Sequence, residues 1–249
     1  GKSCPTVQSF GPQKTLKGTG FHEVIITRDH FKTIDKMSVE EAELLLRAYQ
    51  MRYQTLANEP CINYIIVFHN YGKMAGATIT HPHSQLVAVP VVDPDISRSL
   101  SSARQYYDLF GKCIYCEMLE WELNEKKRIV YQNEHFVTLA PFASRGSYET
   151  RIYPLSHAAH FEKITDEKRL ALAESLKDAL GRISKVLKSC DYNFFIHSAP
   201  FLSQKADNYH WHIEILPRGY SWAGLELGVG IEVVVVPPEE AADDLRKAL

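Results

Sequence analysis

The chain has 249 residues, of which 45% are hydrophobic and 23% are charged, and its formal net charge is −2 at pH 7. This composition is typical of a globular protein with a large core, built as one big domain or two small ones. The near-neutral charge argues against a nucleic-acid-binding surface, and no apolar run approaches the roughly 20 residues that a membrane-spanning helix needs. We therefore expect neither nucleic acid nor a membrane as a partner.

The start of the chain and its cysteines indicate a cellular compartment. Residues 1–5 lack the charged-then-apolar pattern of a signal peptide. The five cysteines are odd in number, and Cys113 and Cys116 form a C-x-x-C pair. This usage favours a reducing compartment and a metal site over a disulfide framework, so we expect a cytoplasmic protein.

In chain order, the first part of the sequence predicts a loop followed by a unit of strand, helix and two strands. Ser38 and Glu41 match a capping box, in which a hydroxyl caps a helix that carries an acid three residues later. The loop covers 1–20, the strands 23–27, 61–68 and 81–90, the helix 38–56, and a Gly-containing loop 72–80.

A connector over 91–127 follows, with a helix at 95–110 and a knuckle at 111–116. The remainder predicts a second unit of the same kind and a short final helix. Its strands are expected at 128–132, 136–140, 149–154, 192–196, 209–216 and 231–236, its long helix from Thr165, and the final helix from Pro237.

The histidines repeat with the elements. His30 precedes a His81-x-His83 pair by 51 residues, and His157 precedes a His210-x-His212 pair by 53 residues. Chance would rarely match both the element order and the histidine placement. We therefore predict an α/β (α+β) fold of two β-α-β-β half-domains, residues 1–110 and 111–249, that share one continuous core.

The stretch His81-Pro82-His83-Ser84-Gln85 carries the clearest chemistry. If it is extended, His81, His83 and Gln85 point to one face of the strand. A neutral imidazole such as His83 can attack phosphorus and leave again, which would split a transfer into two steps. Neutral donors to a phosphate are nearby in the sequence: Asn70, Thr78, Ser84 and Gln85. The alternative is two satisfied histidines at a strand edge.

The C-x-x-C pair predicts a zinc site in the second half. Cys113 and Cys116 would hold one side of the ion, and His157 and His210 would complete a tetrahedral set from separate elements. His160 or His135 could replace His157 as the third ligand. The alternative is a pair of free thiols beside unrelated histidines.

By symmetry the first half should have a site built on His30, His81 and two upstream cysteines. Only Cys4 precedes His30, and the first C-x-x-C pair begins at residue 113. Either a preceding segment supplies the cysteines, or the site is incomplete and His30 is a loop histidine.

These motifs in combination resemble the galactose-1-phosphate uridylyltransferase family of the histidine-triad superfamily. The residues that carry the resemblance run from about Gly20 to the end of the chain: Asn70, Thr78, His81-Pro82-His83-Ser84-Gln85, His197-Ser198-Ala199-Pro200-Phe201, His210-Trp211-His212 and Gly224-Leu225-Glu226. The resemblance implies two histidine-triad-like units with mainly antiparallel sheets and flanking helices, usually in a homodimer.

The resemblance also assigns roles to single residues. His83 matches the histidine that carries the uridylyl group, and Gln85 matches the residue that steadies the phosphoryl group. Asn70 and Thr78 match phosphate-contacting positions, and Glu226 matches an acid that binds hexose hydroxyls. His30 and His81 match two zinc ligands of the first half.

The implied substrates are a nucleotide sugar such as UDP-glucose and a hexose 1-phosphate such as galactose 1-phosphate. Some family members bind the second metal through a Glu and three histidines, including the equivalents of His197, His210 and His212. The cysteine pair and Ser84 point instead to related ADP-glucose phosphorylases, and Ile231-Glu232 does not match a Gln of the sugar pocket. Three alternatives stay open: an ADP-sugar phosphorylase that uses inorganic phosphate, a nucleotide hydrolase, and an inactive zinc-stabilised binding protein.

Overall fold

The computed structural model describes residues 4–188, 190–201, 206–219 and 223–249. Ten strands are present in this part of the chain: β1 (Gln8–Phe10), β2 (Gln13–Thr15), β3 (Phe21–Ile26), β4 (Tyr64–Tyr71), β5 (His83–Val89), β6 (Ile129–Gln132), β7 (Phe136–Leu139), β8 (Thr150–Pro154), β9 (Tyr192–His197) and β10 (His212–Pro217). Strands β1 and β2 form a hairpin, and the other eight form one antiparallel sheet in the order β3-β5-β4-β9-β10-β8-β7-β6.

Six α-helices flank the sheet in the described ranges: α1 (Val39–Ala57), α2 (Pro94–Phe110), α3 (Ile114–Glu125), α4 (Asp166–Val186), α5 (Gly224–Val229) and α6 (Pro238–Lys247). The predicted capping box of α1 is confirmed, because Ser38 Oγ accepts from Glu41 N at 3.1 Å and Ser38 N donates to the Glu41 carboxylate at 2.7 Å. None of these helices combines the length and apolar character that a bilayer crossing would require. The predicted fold class, a mixed α/β protein with a mainly antiparallel sheet, is confirmed.

The two predicted units have mirrored strand orders within the sheet. The first contributes β3-β5-β4 and the second β8-β10-β9, and the units meet where β4 pairs with β9 through Phe68 and Phe195. Helices α1 and α4 pack on the same face, and their apolar residues join those of the strands in one continuous core. The boundary between residues 110 and 111 stays a prediction.

Part of the expected secondary structure was wrong. The β-branched run Ile231–Val236 is not a strand, and the sequence analysis did not predict α5 immediately before it. Ile231 and Val235 are exposed. Strand preference is realised only when a residue packs against cross-strand neighbours, and this run has none among the described strands. The expected knuckle is also different, since Cys113 is the N-cap of helix α3.

The cysteine usage was only partly as expected. Cys4 and Cys61 form a disulfide with their Cα atoms 5.3 Å apart, whereas the sequence favoured a metal site over disulfides. The N-terminal segment lies beside the turn that leads into β4, and this brings together two cysteines that are 57 residues apart. Sequence spacing could not reveal that approach. Cys113, Cys116 and Cys190 are free thiols.

Gly72, directly after β4, has a backbone that a side chain would strain. Its φ is +83°, and an added Cβ would lie 2.0 Å from Asp191 Oδ1. We expect Gly72→Ala to lower the free energy of unfolding by about 2 kcal/mol or more in urea denaturation. Gly76→Ala is the matched control, because Gly76 has a φ of +84° but no heavy atom within 4 Å of its added Cβ. Equal losses in the two variants would contradict a role for the contact with Asp191.

Candidate active site and metal cluster

The backbone of its own strand orients the ring of His83, the first residue of β5. His83 Nδ1 donates to the carbonyl oxygen of His81 at 2.8 Å, and His81 Nε2 donates to the carbonyl oxygen of Thr27 at 2.7 Å. A neutral imidazole with its hydrogen on Nδ1 carries a lone pair on Nε2. The carbonyl of His81 is therefore the acceptor that a nucleophilic His83 needs.

A cleft lies beside His81, two residues before His83. The register of β4 and β5 pairs His69 with Ser84, so Asn70 and His83 are the next positions along the two strands, on the opposite face from that pair. Asn70, Thr78 and His81 line a cleft of about 740 Å³, together with the loop that begins at Gly72. This volume is within the usual range of small-molecule sites. The structure thus brings the predicted residues Asn70 and Thr78 together next to the His81-x-His83 pair.

Gln85 lies on the same face as His83, as strand alternation predicts. Its Oε1 accepts from His22 Nε2 at 2.8 Å, which leaves the N–H donors of the carboxamide for other partners. Sequence analysis missed His22 because the strand was predicted to begin at Glu23, two residues after its actual start at Phe21. Correct strand bounds would have placed this histidine near Gln85.

Ser84 does not join the site, which corrects its assignment as a substrate-binding residue. It is buried on the opposite face from His83 and Gln85. The Oγ atom of Ser84 is hydrogen-bonded to the hydroxyl of Tyr49 and to His69 Nδ1, the latter at 2.9 Å. Burial, with a smaller contribution from His83, lowers the pKa of His69 to about 3, so this ring is a neutral hydrogen-bond partner.

The bonds of Ser84 give a test of its structural role. We expect Ser84→Ala to lower the free energy of unfolding by about 1–3 kcal/mol, because Tyr49 and His69 lose their shared partner in a buried place. Ser99→Ala is the control, since it removes a 2.8 Å bond to Tyr115 at a half-buried position that water can reach. Urea denaturation measures both. A loss in Ser84→Ala no larger than in the control would exclude the proposed buried network.

Glu226, the predicted hexose ligand, lies in the first turn of α5. Its carboxylate accepts from the backbone N of Ala223 at 3.0 Å, and the residue is half-buried. This contact caps the helix and does not link Glu226 to His83. Its role in sugar binding stays a prediction.

The second half contains a buried counterpart of the His83 site. His212 Nδ1 donates to the carbonyl oxygen of His210 at 3.2 Å, the same bond that His83 makes. Tyr153 stacks on the ring of His212 at 4.9 Å. Glu214 occupies the position of the neutral Gln85 and lies 3.3 Å from Arg151. Because an ionised carboxylate accepts hydrogen bonds but has no N–H to donate to a phosphoryl oxygen, the arrangement favours the first half as the reactive site.

Four predicted metal ligands lie close together at the start of α3. The ligand atoms of Cys113, Cys116, His157 and His210 all lie within 4.8 Å of one another. Cys116 Sγ is 3.3 Å from His157 Nδ1 and 3.5 Å from His210 Nδ1. His210 Nε2 donates to the carbonyl oxygen of Pro154 at 2.9 Å, so its Nδ1 carries the lone pair that a metal needs. Two thiols and two imidazoles fit a tetrahedral zinc ion.

The electrostatics and the neighbouring histidines support the same set. Hydrogen bonding by Cys116 lowers the pKa of the Cys113 thiol well below its ordinary value, which favours the thiolate form that metals bind. The alternative ligands lie outside this cluster: His160 Nδ1 is 3.3 Å from Glu162, and His135 Nε2 is 3.4 Å from Glu167. The structure therefore favours His157 as the third ligand.

The first half does not present an equivalent cluster in the described residues. The rings of His30 and His81 are 4.3 Å apart between centroids, but neither belongs to a group of three or more potential ligands. Cys4 is bonded to Cys61. A first metal site would need thiolates from outside this set.

Comparison with protein families and curated proteins identifies relatives of the whole chain. Residues 12–249 match the family described as domain of unknown function DUF4921. The chain is 35% identical to ADP-glucose phosphorylase of Arabidopsis thaliana, over 97% of this chain and 68% of that protein. It is 32% identical to galactose-1-phosphate uridylyltransferase of Thermotoga maritima, over 95% of this chain and 77% of that protein.

Solved structures agree with these relatives. An Arabidopsis thaliana ADP-glucose phosphorylase with bound ADP-glucose has a TM-score of 0.88 and 34% identity, covering 94% of this chain and 74% of that chain. A uridylyltransferase structure has a TM-score of 0.90 and 28% identity, covering 99% of this chain and 80% of that chain. The chain therefore belongs to the DUF4921 family, and it shares its fold with the ADP-glucose phosphorylase and uridylyltransferase structures.

Proposed function

We propose that this protein is a nucleotidyltransferase that forms a covalent nucleotidyl-histidine on His83 and exchanges hexose 1-phosphates on a nucleotide sugar. The observation that carries the proposal is the hydrogen bond from His83 Nδ1 to the carbonyl of His81, which leaves a lone pair on Nε2 of the neutral ring. The similarity to an ADP-glucose phosphorylase at 35% identity and to a galactose-1-phosphate uridylyltransferase at 32% identity supports a nucleotidyltransferase-like enzyme.

In the first step, His83 Nε2 attacks the α-phosphorus of a nucleotide sugar such as UDP-glucose. A phosphorus–nitrogen bond forms, the bond from the α-phosphorus to the bridging oxygen breaks, and glucose 1-phosphate leaves. In the second step, a phosphate oxygen of galactose 1-phosphate attacks the same phosphorus, and the bond to His83 breaks. Asn70, Thr78 and Gln85 supply neutral donors to the phosphoryl oxygens without adding charge.

We propose that the cluster of Cys113, Cys116, His157 and His210 holds a structural zinc ion. The ion would join the first turn of α3 to the loop after β8 and to the residue that precedes β10 by two positions. Cross-linking distant segments is what structural zinc supplies. The proposed chemistry at His83 requires no step at this ion.

A second candidate function is an ADP-sugar phosphorylase, in which inorganic phosphate replaces the hexose 1-phosphate as acceptor. The relative with 35% identity is named ADP-glucose phosphorylase, and the Cys113–Cys116 pair and Ser84 resemble the residues of that group of enzymes. Both candidates share the covalent step. They differ only in the nucleotide donor and in what removes the nucleotidyl group from His83.

Intact-protein mass spectrometry tests the proposal. The protein is mixed briefly with UDP-glucose, and separately with ADP-glucose, without an acceptor. We expect a gain of one nucleotidyl group with one donor, and its loss when the correct acceptor is added. Removal by galactose 1-phosphate supports hexose 1-phosphate exchange, removal by inorganic phosphate supports the phosphorylase, and slow loss in water alone supports hydrolysis. No adduct with either donor, from protein that contains its zinc, would overturn the covalent mechanism.

A further inference from the structure

A carboxamide of the second half reaches across the sheet to the candidate active site of the first half. We propose that Asn193 on β9 is a positioning residue that fixes the orientation of the Asn70 carboxamide, so that the N–H donors of Asn70 face the phosphate of the bound nucleotide. This inference rests on the proposed function and adds a residue that neither the motifs nor the resemblance assigned.

The contacts of Asn193 define which of its atoms is which. Arg218 Nε lies 2.6 Å from Asn193 Oδ1, and a guanidinium can only donate hydrogen bonds. The oxygen of the Asn193 carboxamide must therefore face Arg218. Its nitrogen then faces Asn70, with Asn193 Nδ2 at 2.8 Å from Asn70 Oδ1 and at 2.8 Å from the carbonyl oxygen of Ala75. Both hydrogens of Asn193 Nδ2 are thus used.

The same reasoning passes from Asn193 to Asn70. Because Asn193 Nδ2 is a donor, the Asn70 atom that faces it must be the oxygen. The nitrogen of the Asn70 carboxamide, with its two N–H donors, is then turned to the remaining side, and Asn70 lines the cleft together with Thr78 and His81. Phosphoryl oxygens accept hydrogen bonds, so this is the orientation that a nucleotide phosphate requires.

The surroundings hold this chain of bonds in place. Asn193 is 4% exposed, so exchange of its partners with water is restricted. Arg218 also donates its backbone N to the carbonyl oxygen of Asp191 at 2.7 Å, and Asp191 accepts from Met74 N at 2.6 Å. Residues of the second half therefore fix both the Asn70 carboxamide and the loop that follows it.

Two variants of Asn193 separate orientation from packing. Asn193→Asp keeps the shape and the acceptor for Arg218, but it offers Asn70 only oxygen. Asn70 must then rotate to donate to Asp, and its own oxygen would face the phosphate. Asn193→Ala removes the partner and leaves Asn70 free to take either orientation. We expect the rate of nucleotidyl-His83 formation to fall about 100-fold in Asn193→Asp and about 10-fold in Asn193→Ala.

A double-mutant cycle shows whether Asn193 acts through Asn70. In an Asn70→Ala background, Asn193→Asp should lower the rate by less than about 2-fold further. Asn63→Asp is the control for a new half-buried carboxylate, because Asn63 donates to the carbonyl of Pro90 near the other end of β4. The rate of adduct formation is measured by mixing the protein with the nucleotide sugar, stopping the reaction at set times and recording the intact-protein mass. Calorimetry with ADP and with UDP measures nucleotide binding independently of turnover.

Each outcome decides the inference. The inference is overturned if Asn193→Asp forms the nucleotidyl adduct at the wild-type rate. It is also overturned if the Ala and Asp variants of Asn193 lose the same factor in rate and this factor multiplies fully with that of Asn70→Ala. If the wild-type protein binds ADP or UDP but forms no adduct, the covalent mechanism fails alone. The inference then requires weaker diphosphate binding by Asn193→Asp than by Asn193→Ala. A wild-type protein that binds neither diphosphate overturns both.

Discussion

Replacement of His83 by Asn is expected to abolish the nucleotidyl adduct and to lower turnover by about 10⁴-fold or more. Removing the attacking atom of a covalent mechanism leaves only binding and electrostatic contributions to the rate. The fold should be retained, because His83 is half-buried at the start of β5. Steady-state turnover and intact-protein mass measure the two effects on the same preparation.

His212→Asn is the matched control for His83→Asn. Both histidines donate Nδ1 to the carbonyl of the residue two positions earlier, at 2.8 Å in one case and 3.2 Å in the other. His212 is buried, so its replacement should cost stability but leave the adduct on the remaining protein. If well-folded His212→Asn loses the adduct while His83→Asn keeps it, the nucleophile is in the second half and the assignment of His83 is wrong.

Replacement of Cys116 by Ser is expected to release zinc and to lower the free energy of unfolding by about 3 kcal/mol or more. Metal binding that occurs only in the folded state adds directly to stability, and structural zinc sites bind strongly. Cys116 Sγ lies close to both imidazoles of the set, so a weaker oxygen ligand here affects the whole cluster. Elemental analysis by mass spectrometry gives the zinc content, and thermal unfolding with and without a chelator gives the stability.

Cys190→Ser is the control for Cys116→Ser, because Cys190 is a free thiol outside the four-residue set. It should keep one zinc ion for each chain and unfold in the same way as the wild type. Wild-type protein without zinc, or with unfolding that a chelator does not shift, would contradict the proposed metal site.

The order of elements could be predicted because each of its signals is local. A capping box at Ser38 and apolar periodicity fixed helices α1 and α4, and β-branched runs fixed most strands. The run at 231–236 failed because strand formation depends on a neighbouring strand, which local sequence does not encode. Membership in the sheet is decided by tertiary contacts.

Individual site residues divide in the same way. His83 and Gln85 could be found from strand alternation, and the same rule would have excluded Ser84 had it been applied to the middle of the motif. Strand alternation also places Asn193 on the same face of β9 as His197. The role of Asn193, however, depends on Arg218 and Asn70, which are distant in sequence. The Cys4–Cys61 bond has no sequence signal at all. The homodimer and the cytoplasmic location stay predictions.

The mirrored halves of the sheet carry one histidine geometry in two environments. In one half the second histidine of the pair is half-buried, two residues after a histidine that lines a cleft. In the other half the second histidine is buried, stacks on Tyr153 and lies near the anionic Glu214. Under the proposed function, the half that carries His83 takes the orientation of Asn70 from Asn193 in the other half. The two halves are then mutually dependent, because neither would complete the reactive site alone.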